Sequence, residues 1–215
     1  MRWAAHVTGW GLLGFVGLPS CTGEGGGARG PSTLGQTGAT AESSAPRIRA
    51  KATIAGAPGS DIKGEVTFVE LEGNMPVPGV EIQARITGPA DRLTPGPHGL
   101  HIHENAKGGC VPPFKSAGGH FDPGPAGNPD PDVNHPYHLG DIPNLVVDNS
   151  GKGEMKATTS RITLGPGPLT LFDTNGSVIV VHEKPDQGVP GKPESGISGG
   201  PRIACGVIEL DPGGG

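Results

Sequence analysis

Glu65-Val66-Thr67-Phe68-Val69-Glu70-Leu71 is the stretch from which the fold is read. Val66, Phe68 and, after a break at Val69, Leu71 are apolar against Glu65, Thr67 and Glu70, and a period of two predicts a half-buried β-strand. Outward from this segment, which belongs to a run at 64–71, lie further runs of strand-forming composition at 48–55, 80–87, 99–103, 145–147, 152–158, 177–181 and 203–210. No long stretch carries the 3.6-residue period of an amphipathic helix. Short strands separated by Gly, Pro, Asn and Asp predict an all-β domain, an eight-stranded antiparallel Greek-key barrel or sandwich. Two long segments, 107–141 and 183–201, have no strand pattern, and loops of that length in a compact domain are expected to be functional or disordered.

The chain has 215 residues, enough for one sizeable core. Its 40 glycines and 24 prolines would suggest low complexity, but many of the glycines crowd into 22–45. The Gly, Ser, Thr and Ala of 22–46 cannot bury enough apolar surface to offset ordering entropy, so this segment reads as a flexible tether. Ahead of it, Arg2, an apolar stretch at 7–18 too short to span a bilayer and small residues before Cys21 read as an export signal. Leu18-Pro19-Ser20-Cys21 resembles a bacterial lipoprotein processing site, which would make Cys21 a lipidated first residue and tether the protein to a membrane; simple secretion is the alternative. The expected organisation is a signal peptide at 1–20, the tether at 21–46, the domain at 47–211 and a disordered tail at 212–215. Location in the periplasm or cell envelope follows.

Removing residues 1–20 takes away Arg2 and moves the net charge from −5 to −6, which argues against nucleic acid as a partner. Cys110 and Cys205 are then the cysteines of the domain. An exported protein with one distant pair is read as holding one disulfide, with two free buried thiols as the alternative. Closing so long a loop contributes roughly 4 to 5 kcal/mol in the chain-entropy model.

The histidines carry the chemistry. In Gly99-Leu100-His101-Ile102-His103-Glu104, strand alternation puts His101 and His103 on one face, where two imidazoles can share a metal; surface histidines also alternate by chance. His182 ends the apolar run Ser177-Val178-Ile179-Val180-Val181, either as a ligand delivered by a second strand or as a satisfied core histidine. His120, His135, His138 and Asp141 fall within one proline-rich loop and make a donor set suited to tetrahedral zinc, against the alternative of a solvated polar loop.

Five segments together resemble the copper/zinc superoxide dismutase family: GPHGLHIHE at 96–104, GGHFDP at 118–123, HLGDIPN at 138–144, VVHEK at 180–184 and GPRIACGVI at 200–208. The resemblance spans roughly 48–210 in the family's order. It implies copper held by His101, His103, His120 and His182, with His120 bridging to zinc, and zinc held by His120, His138 and Asp141. The common pattern has a further zinc histidine about eight residues after the bridging one, where this sequence has Asn128. His135 is the expected substitute; a copper-only relative, with His135 a mere loop residue, is the alternative. The resemblance also implies a structural, non-ligating His98, a catalytic Arg202 that holds the superoxide anion beside the copper, and a catalytic His120 that accepts a proton. Cys110 and Cys205 correspond to the family disulfide, and Asp186 to the aspartate that orients a copper histidine and a zinc histidine. Lys184 and Lys192 lie in the segment that resembles the electrostatic loop.

The function so implied is dismutation of superoxide to oxygen and hydrogen peroxide, with copper and zinc as cofactors; a homodimer is a candidate assembly that the sequence does not decide. The competing reading is a non-catalytic copper-binding or storage module on the same fold.

Overall fold

The computed structural model describes residues 47–72, 78–124 and 127–213. The expected signal peptide, the tether with Cys21 and residues 214–215 of the expected tail lie outside the described residues. Among the described residues, nine strands form one antiparallel sheet: β1 (Arg49–Gly56), β2 (Lys63–Glu70), β3 (Val80–Thr87), β4 (Gly96–His98), β5 (Leu100–His103), β6 (Leu145–Val147), β7 (Lys152–Thr159), β8 (Val178–His182) and β9 (Arg202–Leu210). The only helical element among them is a 3-10 turn at Lys115–Ala117. The element beyond the eight runs read from sequence is β4, three residues that include Pro97 and carry no alternation. It pairs only with β6, His98 opposite Leu145, so the missing N–H of Pro97 costs no second ladder.

Strand order across the sheet is β4-β6-β7-β3-β2-β1-β9-β8-β5. Its two edge strands, β4 and β5, are separated in sequence by Gly99 alone, so the sheet must curl until its edges meet, giving a nearly closed barrel. A Cβ at Gly99 would lie 2.9 Å from the Ser198 carbonyl oxygen and 3.3 Å from the His182 Cβ, which is why glycine stands at the seam. The β5 to β6 connection crosses from one edge of the sheet to the other, and the β7 to β8 connection returns, in the Greek-key manner.

The alternation of β2 places Val66 and Phe68 in the core, beside Ile54, Ile82 and Ile86, while Leu71 lies just past the strand end and is half-buried. Burial of each such side chain contributes about 1.5 to 3 kcal/mol. β5 and β8 depart from alternation and are buried at every position. Leu100 and Ile102 face the barrel core, whereas Val178 and Val180 pack outside it against Phe114, Ala117 and Cys205. His101 is paired with Val180 and His103 with Val178, so both imidazoles lie on this outer face, under the long loops. A disulfide between Cys110 and Cys205, with Cα atoms 5.4 Å apart, ties loop 107–141 to β9.

Candidate metal centre

The outer face of β5 and β8 delivers His101, His103 and His182 to one place. A register shift at Val181/His182 sets His182 opposite Arg202 rather than Ile203, a bulge that brings the imidazole and the guanidinium together. His120 comes from loop 107–141 and is held against β5 by a bridge to His103. Ligand-type atoms of His101, His103, His120 and His182 all lie within 4.8 Å of one another, and all four residues are buried.

Each of these histidines has one nitrogen engaged and one without a partner. His101 donates from Nε2 to Asp186 Oδ2 at 3.1 Å, His103 from Nδ1 to the Gly118 carbonyl at 3.1 Å, and His182 from Nδ1 to the Gly200 carbonyl at 3.1 Å. His120 Nδ1 meets Asp141 Oδ1 at 2.6 Å. The nitrogens left over are His101 Nδ1, His103 Nε2, His120 Nε2 and His182 Nε2. A buried polar atom without a hydrogen bond costs about 1 to 3 kcal/mol, so four of them converging in one spot fit a metal ion and little else.

Asp141 organises a second cluster. Besides His120, its carboxylate lies 2.9 Å from His138 Nδ1 and 3.3 Å from His135 Nδ1, the latter without a hydrogen bond. His138 keeps Nε2 without a partner as well. The atoms of His101, His120, His135 and Asp141 form the second group within 4.8 Å. His101 is nevertheless the weaker candidate there: Asp186 occupies its Nε2 and its free Nδ1 belongs to the first set. His138 reaches the same carboxylate through Nδ1 and completes three imidazoles and one carboxylate. His135 Nε2 lies 2.5 Å from Asp186 Oδ1, so Asp186 joins His101 of the first cluster to His135 of the second. Asn144 fixes Asp186 through paired bonds with its backbone. Asn128 stays outside, its Oδ1 accepting from the Asp130 N–H in a turn. His98 bonds the Thr94 and His182 carbonyls and has no free nitrogen in either cluster.

The two clusters are electrostatically opposite. Burial, and then the neighbouring His120, push His101 down to about 4. Burial likewise brings His120 to about 4 and His182 to about 3, and drives His103 well below the histidine range. In His135 burial also lowers, but the adjacent carboxylates of Asp141 and Asp186 outweigh it and raise the group to about 9. His138 is raised against the same penalty, chiefly by its bond to Asp141. Both aspartates lie well below the usual carboxylate range: burial opposes this, but the bonds from these histidines prevail.

Arg202 donates to the Phe114 carbonyl at 2.9 Å and the Gly118 carbonyl at 2.7 Å. The Gly118 oxygen therefore holds both Arg202 and His103. Beside them opens a cleft of about 570 Å³ lined by His182, Lys184 and Arg202, with Lys192 not among its lining residues. Lys115, which the sequence pattern did not single out, borders a neighbouring cleft with Arg202 and Glu194. Nor did it point to Asp132, a buried carboxylate in the wall of the main cleft. The stretch Asn128-Pro129-Asp130-Pro131-Asp132 reads as ordinary loop composition.

The family described as copper/zinc superoxide dismutase (SODC) matches residues 62–208. A Cu-Zn superoxide dismutase of Deinococcus radiodurans is 37% identical over 159 residues, covering 69% of this chain and 80% of that protein. Cu-Zn superoxide dismutase 1 of Salmonella typhimurium strain 4/74 is 38% identical over 125 residues, 54% of this chain and 66% of that one. Among solved structures, one titled as the clock protein EA4 is similar with a TM-score of 0.58 and 28% identity, covering 78% of this chain and 97% of the other.

Proposed function

The chain belongs to the copper/zinc superoxide dismutase family, and from that membership we propose how its own residues divide the work. It is an oxidoreductase that turns two superoxide anions and two protons into oxygen and hydrogen peroxide, using copper and zinc. In our reading copper is held by His101 Nδ1, His103 Nε2, His120 Nε2 and His182 Nε2, and zinc by His120, His135, His138 and Asp141. The observation that carries this is the convergence of four unpartnered buried nitrogens, on His101, His103, His120 and His182, beside a carboxylate, Asp141, that gathers His120, His135 and His138. Bound copper supplies the one-electron couple that oxidises one superoxide and reduces the next, while zinc, without redox chemistry, orients and polarises the shared imidazole.

Arg202 binds the anion. Its guanidinium is pinned by two carbonyls, so it can offer its remaining donors to superoxide without first being ordered. Lys184 lends positive charge to the cleft, which a chain of net negative charge needs to draw an anion inward. His120 holds and passes protons at Nε2, the atom that faces the copper cluster. Asp186 orients His101 and His135 together, so one carboxylate keeps both clusters aligned.

The signal at 1–20 and the Leu-Pro-Ser-Cys21 site support export and lipidation at Cys21, and with them anchoring in the periplasm or cell envelope. The Cys110–Cys205 disulfide agrees with an oxidising compartment. Exposed Tyr137 and Val146 supply apolar surface for a homodimer.

Metal content and superoxide dismutation, measured together on protein reconstituted with both metals, test the assignment. The expected result is about one copper and one zinc per chain with fast, cyanide-sensitive turnover. Active protein retaining copper alone would remove His135 from its role. Bound copper without turnover would make the protein a copper store.

A further inference from the structure

We propose that Asp132 is a positioning residue that clamps loop 183–201 onto loop 107–141 and so fixes the wall of the cleft leading to Arg202 and His182. This rests on the dismutase reading above. The Asp132 side chain is only 4% exposed, a costly place for a carboxylate unless it is well matched with donors. It accepts from the Gly196 N–H at 2.7 Å, the Ser198 N–H at 3.1 Å and the Ser198 hydroxyl at 2.9 Å. Its own carbonyl accepts from the Gly191 N–H at 2.7 Å.

The rest of that loop offers no substitute. Its other bonds are internal, such as Gln187 N–H to Ile197 O and Ser195 N–H to Lys192 O, or lie at its two ends, where Asp186 meets Asn144, His101 and His135 and the Gly200 carbonyl accepts from His182. Among the described residues, every hydrogen bond between 188–198 and the protein outside loop 183–201 ends on Asp132. Ser198 lines the cleft together with His182, Lys184 and Arg202, so a loop freed from Asp132 would lose the shape of the anion entrance while leaving the metal donors in place. The same short segment also carries His135, three residues on, so one turn of chain ties both the second metal cluster and the entrance to loop 183–201.

Electrostatics alone and clamping predict opposite signs. Asp132→Asn removes a negative charge from the wall of an anion cleft, which by itself should speed superoxide capture. The amide, however, presents a donor where Gly196 needs an acceptor, so the clamp opens. Copper- and zinc-loaded full-length protein is compared with Asp132→Asn and Ser198→Ala for kcat/KM at several ionic strengths, visible copper spectrum and hydrogen exchange at Gly196 and Ser198. The expected result for Asp132→Asn is amide exchange about tenfold faster or more, as charge-assisted bonds are lost. With it comes a fall in kcat/KM of about threefold or more, with a weaker dependence on ionic strength. Copper spectrum and metal content stay as in the parent. Ser198→Ala should shift each readout in the same direction by less, and it decides the matter if Asp132→Asn does not fold. A rise in kcat/KM, or unchanged kcat/KM with unchanged amide protection, overturns the clamp. Parent protein that binds copper without dismutating overturns the functional reading instead, and the exchange rates then still judge the clamp.

Discussion

The two histidine clusters share His120 but are built by different means. Three of the four copper-side histidines sit on or at the end of paired strands, His101 and His103 on β5 and His182 on β8, where the ladder dictates both spacing and face. The zinc-side histidines sit on a loop without regular structure, gathered by one carboxylate, Asp141, and steadied by Asp186. A strand ligand cannot move along the chain without flipping to the other face. A loop ligand can, provided its nitrogen still reaches the same carboxylate. In the assignment we propose, His135 at the carboxylate replaces the histidine that the family resemblance expects at Asn128, a change that freedom permits.

The contrast can be broken first at the group both clusters need. His120→Ala should abolish zinc retention and lower dismutation by well over about 100-fold, because even removing a group behind a metal ligand costs roughly 10- to 100-fold. Metal analysis and stopped-flow dismutation check this. His135→Ala sharpens the contrast: zinc affinity should fall about 100-fold or more while copper is retained. Adding Asn128→His in the same chain should recover part of the loss if loop ligands are interchangeable, which zinc competition titration reads directly. Arg202→Ala should leave both metals bound yet reduce kcat/KM by about 10- to 100-fold, the worth of charge-assisted hydrogen bonds to the anion.

The smallest effect separates the clusters by pH. In the metal-free protein His135 is raised to about 9. Its protonated form therefore contributes stability that is fully present below the ordinary histidine value of about 6.5 and is lost as pH rises through the folded value. Zinc must displace that proton, so zinc uptake should strengthen as pH climbs, by up to roughly tenfold per unit for each proton displaced. The copper-side imidazoles, held at about 4 in His101 and His120 and about 3 in His182, are already neutral, so copper uptake should stay flat over the same range. Titration with a competing chelator at successive pH values checks both slopes.

The sequence by itself determined the elements whose chemistry is periodic or local. The alternation around Phe68 marked β2, and the H-x-H spacing placed His101 and His103 on one face before any partner strand was known. The loop histidines were visible as candidates because few other residues there can bind a metal. Tertiary structure decided everything that depends on which distant segments meet. β4 exists only because β6 lies beside it, since three residues around Pro97 have no periodicity to read. The bulge that turns His182 toward Arg202, the assignment of Lys184 rather than Lys192 to the cleft, and the presence of Lys115 near Arg202 all arise from packing across the barrel seam. Asp132 is the plainest case: nothing in its neighbourhood at 128–134 distinguishes it from a solvated loop aspartate, and its role comes from Gly196 and Ser198, more than sixty positions away in the chain. Hydrogen bonds of that range leave no local pattern, because their donors are backbone N–H groups that every residue except proline carries.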